Sequence, residues 1–232
     1  MLKGFLSDVE SMKAKIIKVD GQRLIVEIQE PFKEELIKKQ AESVEIHIDD
    51  NRRISDEQRK KIFAIIRDIY RFSGHEPEEV RAIMTWYFCE VGGYENFSLS
   101  PHSPIALDMT GAREFINYLI EFCFNFNIPT RDTLLNRTDD LKQYLYLCLK
   151  YRKCAICNSK ADVHHVDAVG MGRNRKKIVH YGMKVIALCR NHHNEAHSKG
   201  KTFLEENHLI GIGLDKYLCE KLNLKAGEDY VE

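Results

Sequence analysis

The sequence predicts an α+β protein, with a mixed N-terminal part that lays helices over a small sheet and a compact C-terminal part rich in cysteine and histidine. Three observations predict this. Short β-branched runs cluster before residue 50, helix-capping signals punctuate residues 55 to 151, and three of the seven cysteines fall among a crowd of histidines between residues 154 and 197. The expected boundary lies between about residues 136 and 152, giving parts of 1–140 and 141–232, the second with its core at 150–200. At 232 residues and 44% hydrophobic content, the chain can fill one large core or two small ones.

Residues 12–18 and 23–29 are β-branched runs flanking Asp20-Gly21, a tight-turn signal, and read as a hairpin. Pro31 opens a short helix over about 32–42, and Val44 to Ile48 alternates like a strand. Ser55 is placed as an N-cap with Gln58 completing a capping box, and Ile62, Ile65, Ile66 and Ile69 form the buried stripe of the helix that begins there. Gly74 ends that helix. Pro77-Glu78-Glu79 starts another, which runs through Trp86 and Phe88. Gly92-Gly93 and Ser98 to Pro104 read as loop, Thr110 as the cap of a helix over about 111–126, and Pro129-Thr130 as its break. A helix from Leu141 to Tyr151 leads into the cysteine segment. In the tail after Phe203, short helices are expected, with Leu209, Ile210, Ile212, Leu214, Leu218 and Leu222 as core contacts.

The net charge is zero, yet residues 151–201 carry 11 Lys and Arg against 3 Asp and Glu, which suggests a segment facing a polyanion. No apolar run reaches membrane-spanning length. The first residues lack the apolar stretch of a secretory signal, so a cytoplasmic protein with reduced thiols is expected. Cys89, Cys123, Cys148 and Cys219 stand singly in apolar patterns and read as small buried hydrophobes.

The remaining cysteines form pairs. Cys154-Ala155-Ile156-Cys157 is followed, after 31 intervening residues, by Cys189-Arg190-Asn191-His192. A C-x-x-C and a C-x-x-H in a reducing compartment match one structural Zn2+ site of three thiolates and one imidazole. Further histidines flank it. His164-His165 are adjacent, and His193 and His197 stand one helical turn apart, where two imidazoles can share an ion. Three of these can hold a metal while the fourth acts as a base.

Val163-His164-His165-Val166, followed by Val185 to His197, resembles the HNH or ββα-metal nuclease motif. The resemblance implies a phosphodiester-cleaving metal site. His164, His193 and His197 would hold a catalytic divalent ion (Mg2+, Mn2+, Ni2+ or Zn2+), and His165 would be the general base. Gly170 to Lys177, with Arg173, Arg175, Lys176 and Lys177, would grip DNA phosphates. The family's middle Asn, which braces the loop holding the base, would fall near Lys184, where there is none. His180 is the alternative occupant by a loop shift.

Asn51 to Ile62, with Ser103, Met109, Phe115, Ile116, Leu119 and Asn127-Ile128-Pro129, resembles the phage NinB (Orf) recombination proteins. That likeness implies binding of single-stranded or branched DNA, with Arg52, Arg53, Arg59 and Lys60 as contacts, a homodimer, and a single-stranded-DNA-binding protein as partner. Together the two resemblances imply a phage or prophage recombination nuclease acting in a bacterial host. The rival reading is a DNA-binding recombination mediator whose zinc module only grips DNA.

Overall fold

The computed structural model describes residues 14–28, 33–40, 42–43, 50–166 and 179–226. The expected strand at 44–48 and the basic loop at 170–177 lie outside these residues. The chain divides into two compact units, residues 1–49 and 50–232. In the first, β1 (Ala14–Asp20) pairs antiparallel with β2 (Arg23–Ile28), and α1 (Lys33–Lys39) comes next. The Asp20–Arg23 pair closes a two-residue turn in which Gly21 takes φ +58°, a conformation glycine adopts without a Cβ clash.

The second unit opens with α2 (Asp56–Ser73). The Ser55 hydroxyl accepts from the Gln58 amide at 3.1 Å and the Gln58 side chain accepts from the Ser55 amide at 3.1 Å, so the expected capping box is present. Its four isoleucines at helical spacing are buried, each contributing about 1.5–3 kcal/mol by leaving water. α3 (Pro77–Gly92) and α4 (Met109–Asn125) pack on α2. The cap of α4 is Asp108, whose carboxylate accepts from the Gly111 amide, and not Thr110. Thr110 lies within the first turn and donates to Asp50 at 3.0 Å instead. Asp108 takes the extended backbone a cap needs, two positions before Thr110.

A short 3-10 turn, Leu134–Arg137, then leads to α5 (Leu141–Lys150). Arg137 and Asp68 form a buried ion pair at 2.6 Å that ties this turn to α2. α5 packs on α4 from one side and on the second sheet from the other. The sheet is antiparallel, in the order β3 (Asp162–His165), β4 (Lys184–Leu188), β5 (Ile212–Gly213). α6 (Arg190–Lys199) covers β3 and β4, so β4 lies between two helices. Val185, Ile186, Ala187 and Leu188 are all buried, which explains their unbroken apolar run. Gly200 separates α6 from α7 (Lys201–Glu206) at φ 60°, ψ −133°, a conformation open to glycine alone. Gly211 brings the tail against the sheet, since a Cβ there would stand 2.9 Å from Val166. α8 (Lys216–Leu222) closes the unit.

One core of buried side chains runs from Ile54 to Leu222, so the expected 140/141 boundary lies inside the second unit. Leu209, Leu214, Leu218 and Leu222 join that core, but Ile210 is 39% exposed. Ile210 precedes the two-residue strand β5, whose Gly213 and Ile212 alone take up the edge of β4. Of the single cysteines, Cys123, Cys148 and Cys219 are buried, while Cys89 is half-buried with its thiol 3.5 Å from the Glu95 carbonyl. Among the described residues, no helix is long and apolar enough to cross a membrane.

Candidate metal centre

The first cluster is built by a knuckle between α5 and β3 and by the start of α6. The Cys154 amide donates to the Ser159 carbonyl and Asn158 takes φ +57°, curling the chain so that both cysteines face inward. Cys189 is the N-cap of α6, and His192 lies in its first turn. The ligand atoms of Cys154, Cys157, Cys189 and His192 lie within 4.8 Å of one another. The Sγ atoms of Cys157 and Cys189 are 3.7 Å apart. His192 Nδ1 is 3.3 Å from Cys154 Sγ and 3.2 Å from Cys189 Sγ. A tetrahedron at usual zinc bond lengths has edges of about 3.8 Å between thiolates and about 3.5 Å between thiolate and imidazole. The donor set and its edges fit a structural Zn2+. Burial pushes the Cys154 thiol up to about 11, whereas for Cys157 burial is outweighed by hydrogen bonds from Ser159, which hold it below the usual thiol range.

Three residues outside the motif fix this knuckle. Asn158 accepts from the Leu134 amide at 2.8 Å and donates to the Tyr144 hydroxyl at 2.7 Å. Tyr144 donates to the Ala155 carbonyl at 2.9 Å, and the Thr133 hydroxyl donates to the Ile156 carbonyl at 2.7 Å. Their signal in the sequence is weak: a buried tyrosine needs a polar partner for its hydroxyl, and an Asn directly after C-x-x-C suits a left-handed turn.

The second cluster joins β3 to the outer part of α6. His164, His193 and His197 offer ligand nitrogens within 4.8 Å of one another. Their ring centroids form a near-equilateral triangle of 4.7, 4.9 and 4.7 Å, each pair edge to face. The i, i+4 spacing puts His193 and His197 on one face, and the pairing of β3 with β4 turns His164 toward it. Burial, then the fields of His193, His197 and His165, hold the His164 imidazole down at about 4. Burial and His197 lower His193 in the same way. For His164 and His193 this favours the neutral form, in which imidazole binds a metal.

His165 lies across the strand. The β3–β4 register runs from Asp162–Leu188 to His165–Val185 without a bulge, so successive side chains alternate faces. His165 packs against His180, with ring centroids 5.5 Å apart. His165 Nε2 and His180 Nδ1 are buried and have no hydrogen-bond partner among the described residues. Burial, then His180, lowers the His165 imidazole, favouring the neutral form with a lone pair to accept a proton. The tail fixes His180, whose amide donates to the Lys225 carbonyl at 2.7 Å, and the nearby Gly182 amide donates to the Leu214 carbonyl at 2.8 Å.

The expected phosphate contacts Arg173, Arg175, Lys176 and Lys177 lie outside the described residues. Arg52 makes two bonds to the Asp50 carboxylate, at 2.9 Å each, and Arg53 donates to the Pro101 carbonyl at 2.7 Å. Arg59 donates to the Leu99 carbonyl at 2.7 Å and to Asp56 at 3.3 Å. Each of these three guanidinium groups thus holds its own protein.

A family model described as "Putative HNHc nuclease" matches residues 25–225, and the chain belongs to this HNH nuclease family. The match spans both metal clusters and all the helices of the second unit. No curated protein and no solved structure matches the chain.

Proposed function

We propose that the protein is a metal-dependent DNA endonuclease. The observation that carries this reading is the convergence of His164, His193 and His197, three imidazoles with ligand nitrogens within 4.8 Å of one another, beside a separate cysteine-rich cluster. These three would hold a divalent ion, Mg2+, Mn2+, Ni2+ or Zn2+. Cys154, Cys157, Cys189 and His192 would hold a structural Zn2+. The divalent ion would supply charge stabilisation to the phosphate and to the leaving oxygen. His165 would be the general base, although its ring lies on the face of β3 opposite the three ligands, so substrate would have to reach it around the strand. His180, packed on His165, braces the base in place of the family's middle Asn. Arg173, Arg175, Lys176 and Lys177 grip phosphates without reading sequence.

The likeness of residues 51–135 to phage NinB proteins supports a role in recombination, on single-stranded or branched DNA. The division at 140/141 is then one of task, within a shared core. A non-catalytic mediator has no use for four histidines in nuclease order. The deciding experiment is nicking of supercoiled and branched DNA by the full chain with each divalent metal. His165→Ala should cost about 10²- to 10⁴-fold in rate with metal uptake kept. His193→Ala should lose activity that excess metal partly restores. His180→Asn should retain more activity than His180→Ala. A parent protein that cuts no DNA with any metal would favour the mediator instead.

A further inference from the structure

His165 and His180 are neighbours as rings but not as hydrogen-bonding groups. Their planes are tilted by 48°. His165 Nε2 and His180 Nδ1 are both shut away from water, and neither has a hydrogen-bond partner among the described residues. A buried polar atom without a partner costs stability, and here two face the same neighbourhood. A brace alone would bond to the ring it holds, and His180 does not. Both rings stand on fixed backbone. His165 is in register with Val185. The His180 amide donates to the Lys225 carbonyl at 2.7 Å, and its carbonyl accepts from the Met183 amide at 3.0 Å. Two imidazoles on one tetrahedral ion, each bonded at about 2.1 Å, have ring centres about 5 Å apart. The separation here is 5.5 Å, against 4.7 to 4.9 Å in the three-histidine cluster. The outer torsion of a histidine side chain is soft enough to close that gap. Both residues are half-buried, so a small turn of either ring opens its nitrogen to an ion and the waters it carries.

We propose that His165 and His180 form a further metal site, which takes an imidazole-seeking divalent ion such as Ni2+ or Zn2+ through His165 Nε2 and His180 Nδ1. The donors are nitrogen only, which suits these ions, whereas Mg2+ seeks oxygen and leaves the pair alone. The site lies on the face of β3 opposite His164, so both faces can be occupied in one molecule. Two imidazoles hold an ion less tightly than three, so this site fills after the cluster of His164, His193 and His197. An ion on it occupies His165 and stops that ring from taking a proton. The site is therefore inhibitory, and it acts only when a nitrogen-seeking metal is in excess. The inference goes beyond the nuclease reading and rests on it only for the effect on cutting.

The test uses the full-length, zinc-loaded His193→Ala/His197→Ala protein, in which the three-histidine cluster is dismantled. Ni2+ uptake is followed by titration calorimetry, with bound nickel and zinc counted by elemental analysis. Nickel should still bind while the zinc content stays unchanged. Adding His180→Phe or His165→Phe, which keep a ring but remove its nitrogens, should abolish that uptake, and circular dichroism checks that each variant is folded. In the double variant itself, NMR signals of the His165 and His180 rings should broaden with Ni2+ before those of the exposed His75, His102 and His208. Uptake that survives both Phe variants, or His165 and His180 rings that do not respond, overturns the site. Cutting is scored separately on the parent. Its rate should rise and then fall as Ni2+ is raised, and should rise without falling in Mg2+. His180→Asn, which cannot hold nickel through an imidazole, should remove the fall, and a fall that persists there overturns the inhibitory role. A parent that cuts nothing while nickel uptake needs both rings sinks the nuclease reading alone. A parent that cuts while both Phe variants keep their uptake sinks the site alone.

Discussion

At the scale of single residues, the histidines divide by face. His164 meets His193 and His197 on one side of β3, and His165 meets His180 on the other. Burial and crowding favour the neutral form of His164 and His193, with a consequence for pH. The His164 pKa is lowered from 6.5 to about 4. The unfolded chain therefore takes up this proton first, and the linked stability, complete above 6.5, is lost as pH falls toward about 4. Metal uptake by these histidines competes with the same protons. Protons on His164 should oppose uptake only well below its ordinary range, and titration calorimetry of the zinc-loaded protein beside NMR of the His164 ring would show it. A His164 ring that titrates at or above 6.5 would contradict its burial and crowding. The residue types were legible in the sequence because metal chemistry restricts them to Cys and His at fixed spacings. The pairing of His165 with His180 was only glimpsed there, since it depends on how the tail straps the turn at 180–183 through Lys225 and Leu214. Asn158 and Tyr144 were only faintly legible, because their work is done by hydrogen bonds between segments distant in sequence.

At the scale of elements, α6 is shared by both clusters: Cys189 caps it, His192 sits in its first turn, and His193 and His197 stand on its outer face. Removing one thiolate should therefore disturb more than zinc. In Cys157→Ser, elemental analysis should find less than the roughly one zinc per chain expected of the parent, and divalent-metal affinity at the histidines should fall as well, although none of them is altered. Unchanged histidine affinity in zinc-free, folded protein would show that α6 is set by packing alone. Capping explains which elements were legible. Ser55 with Gln58, Pro77, Gly74 and Gly93 act within one turn of the chain, so the sequence marks α2 and α3. Asp108 and Thr110 both qualify as caps two residues apart, and tertiary contact decided between them: Thr110 is engaged by Asp50. The 3-10 turn at Leu134–Arg137 has no local signature of comparable strength, and the buried Arg137–Asp68 pair that holds it spans 69 positions.

At the scale of the whole molecule, the C-terminal module was expected to stand apart, and the observed core changes what a fragment should do. Tyr144, Leu145, Leu147, Cys148 and Leu149 of α5 are buried in the same core as Phe115, Ile116 and Leu119 of α4. A cut at residue 140 exposes both surfaces, at a cost of about 25 cal/mol for each Å² of apolar area returned to water. A fragment of residues 50–232 should unfold in one cooperative transition by heat and by urea, and a fragment of residues 141–232 should not. Cooperative folding of 141–232 by itself, with zinc bound, would show that the shared core is dispensable. The sequence pattern could not reveal this sharing, because apolar periodicity marks which face of α5 is buried and not which helix it meets.

His192 and His193 are consecutive, yet they belong to different clusters. Each residue added to a helix turns its remaining length by about 100°. A single insertion between Cys189 and His197 would swing one cluster away from its partners whichever side it fell on. This stretch can therefore absorb the exchange of an exposed side chain such as Asn194, but not a change in length. Among diverging copies of the gene, substitutions here could accumulate singly, while an insertion or deletion of one codon would break at least one of the two clusters.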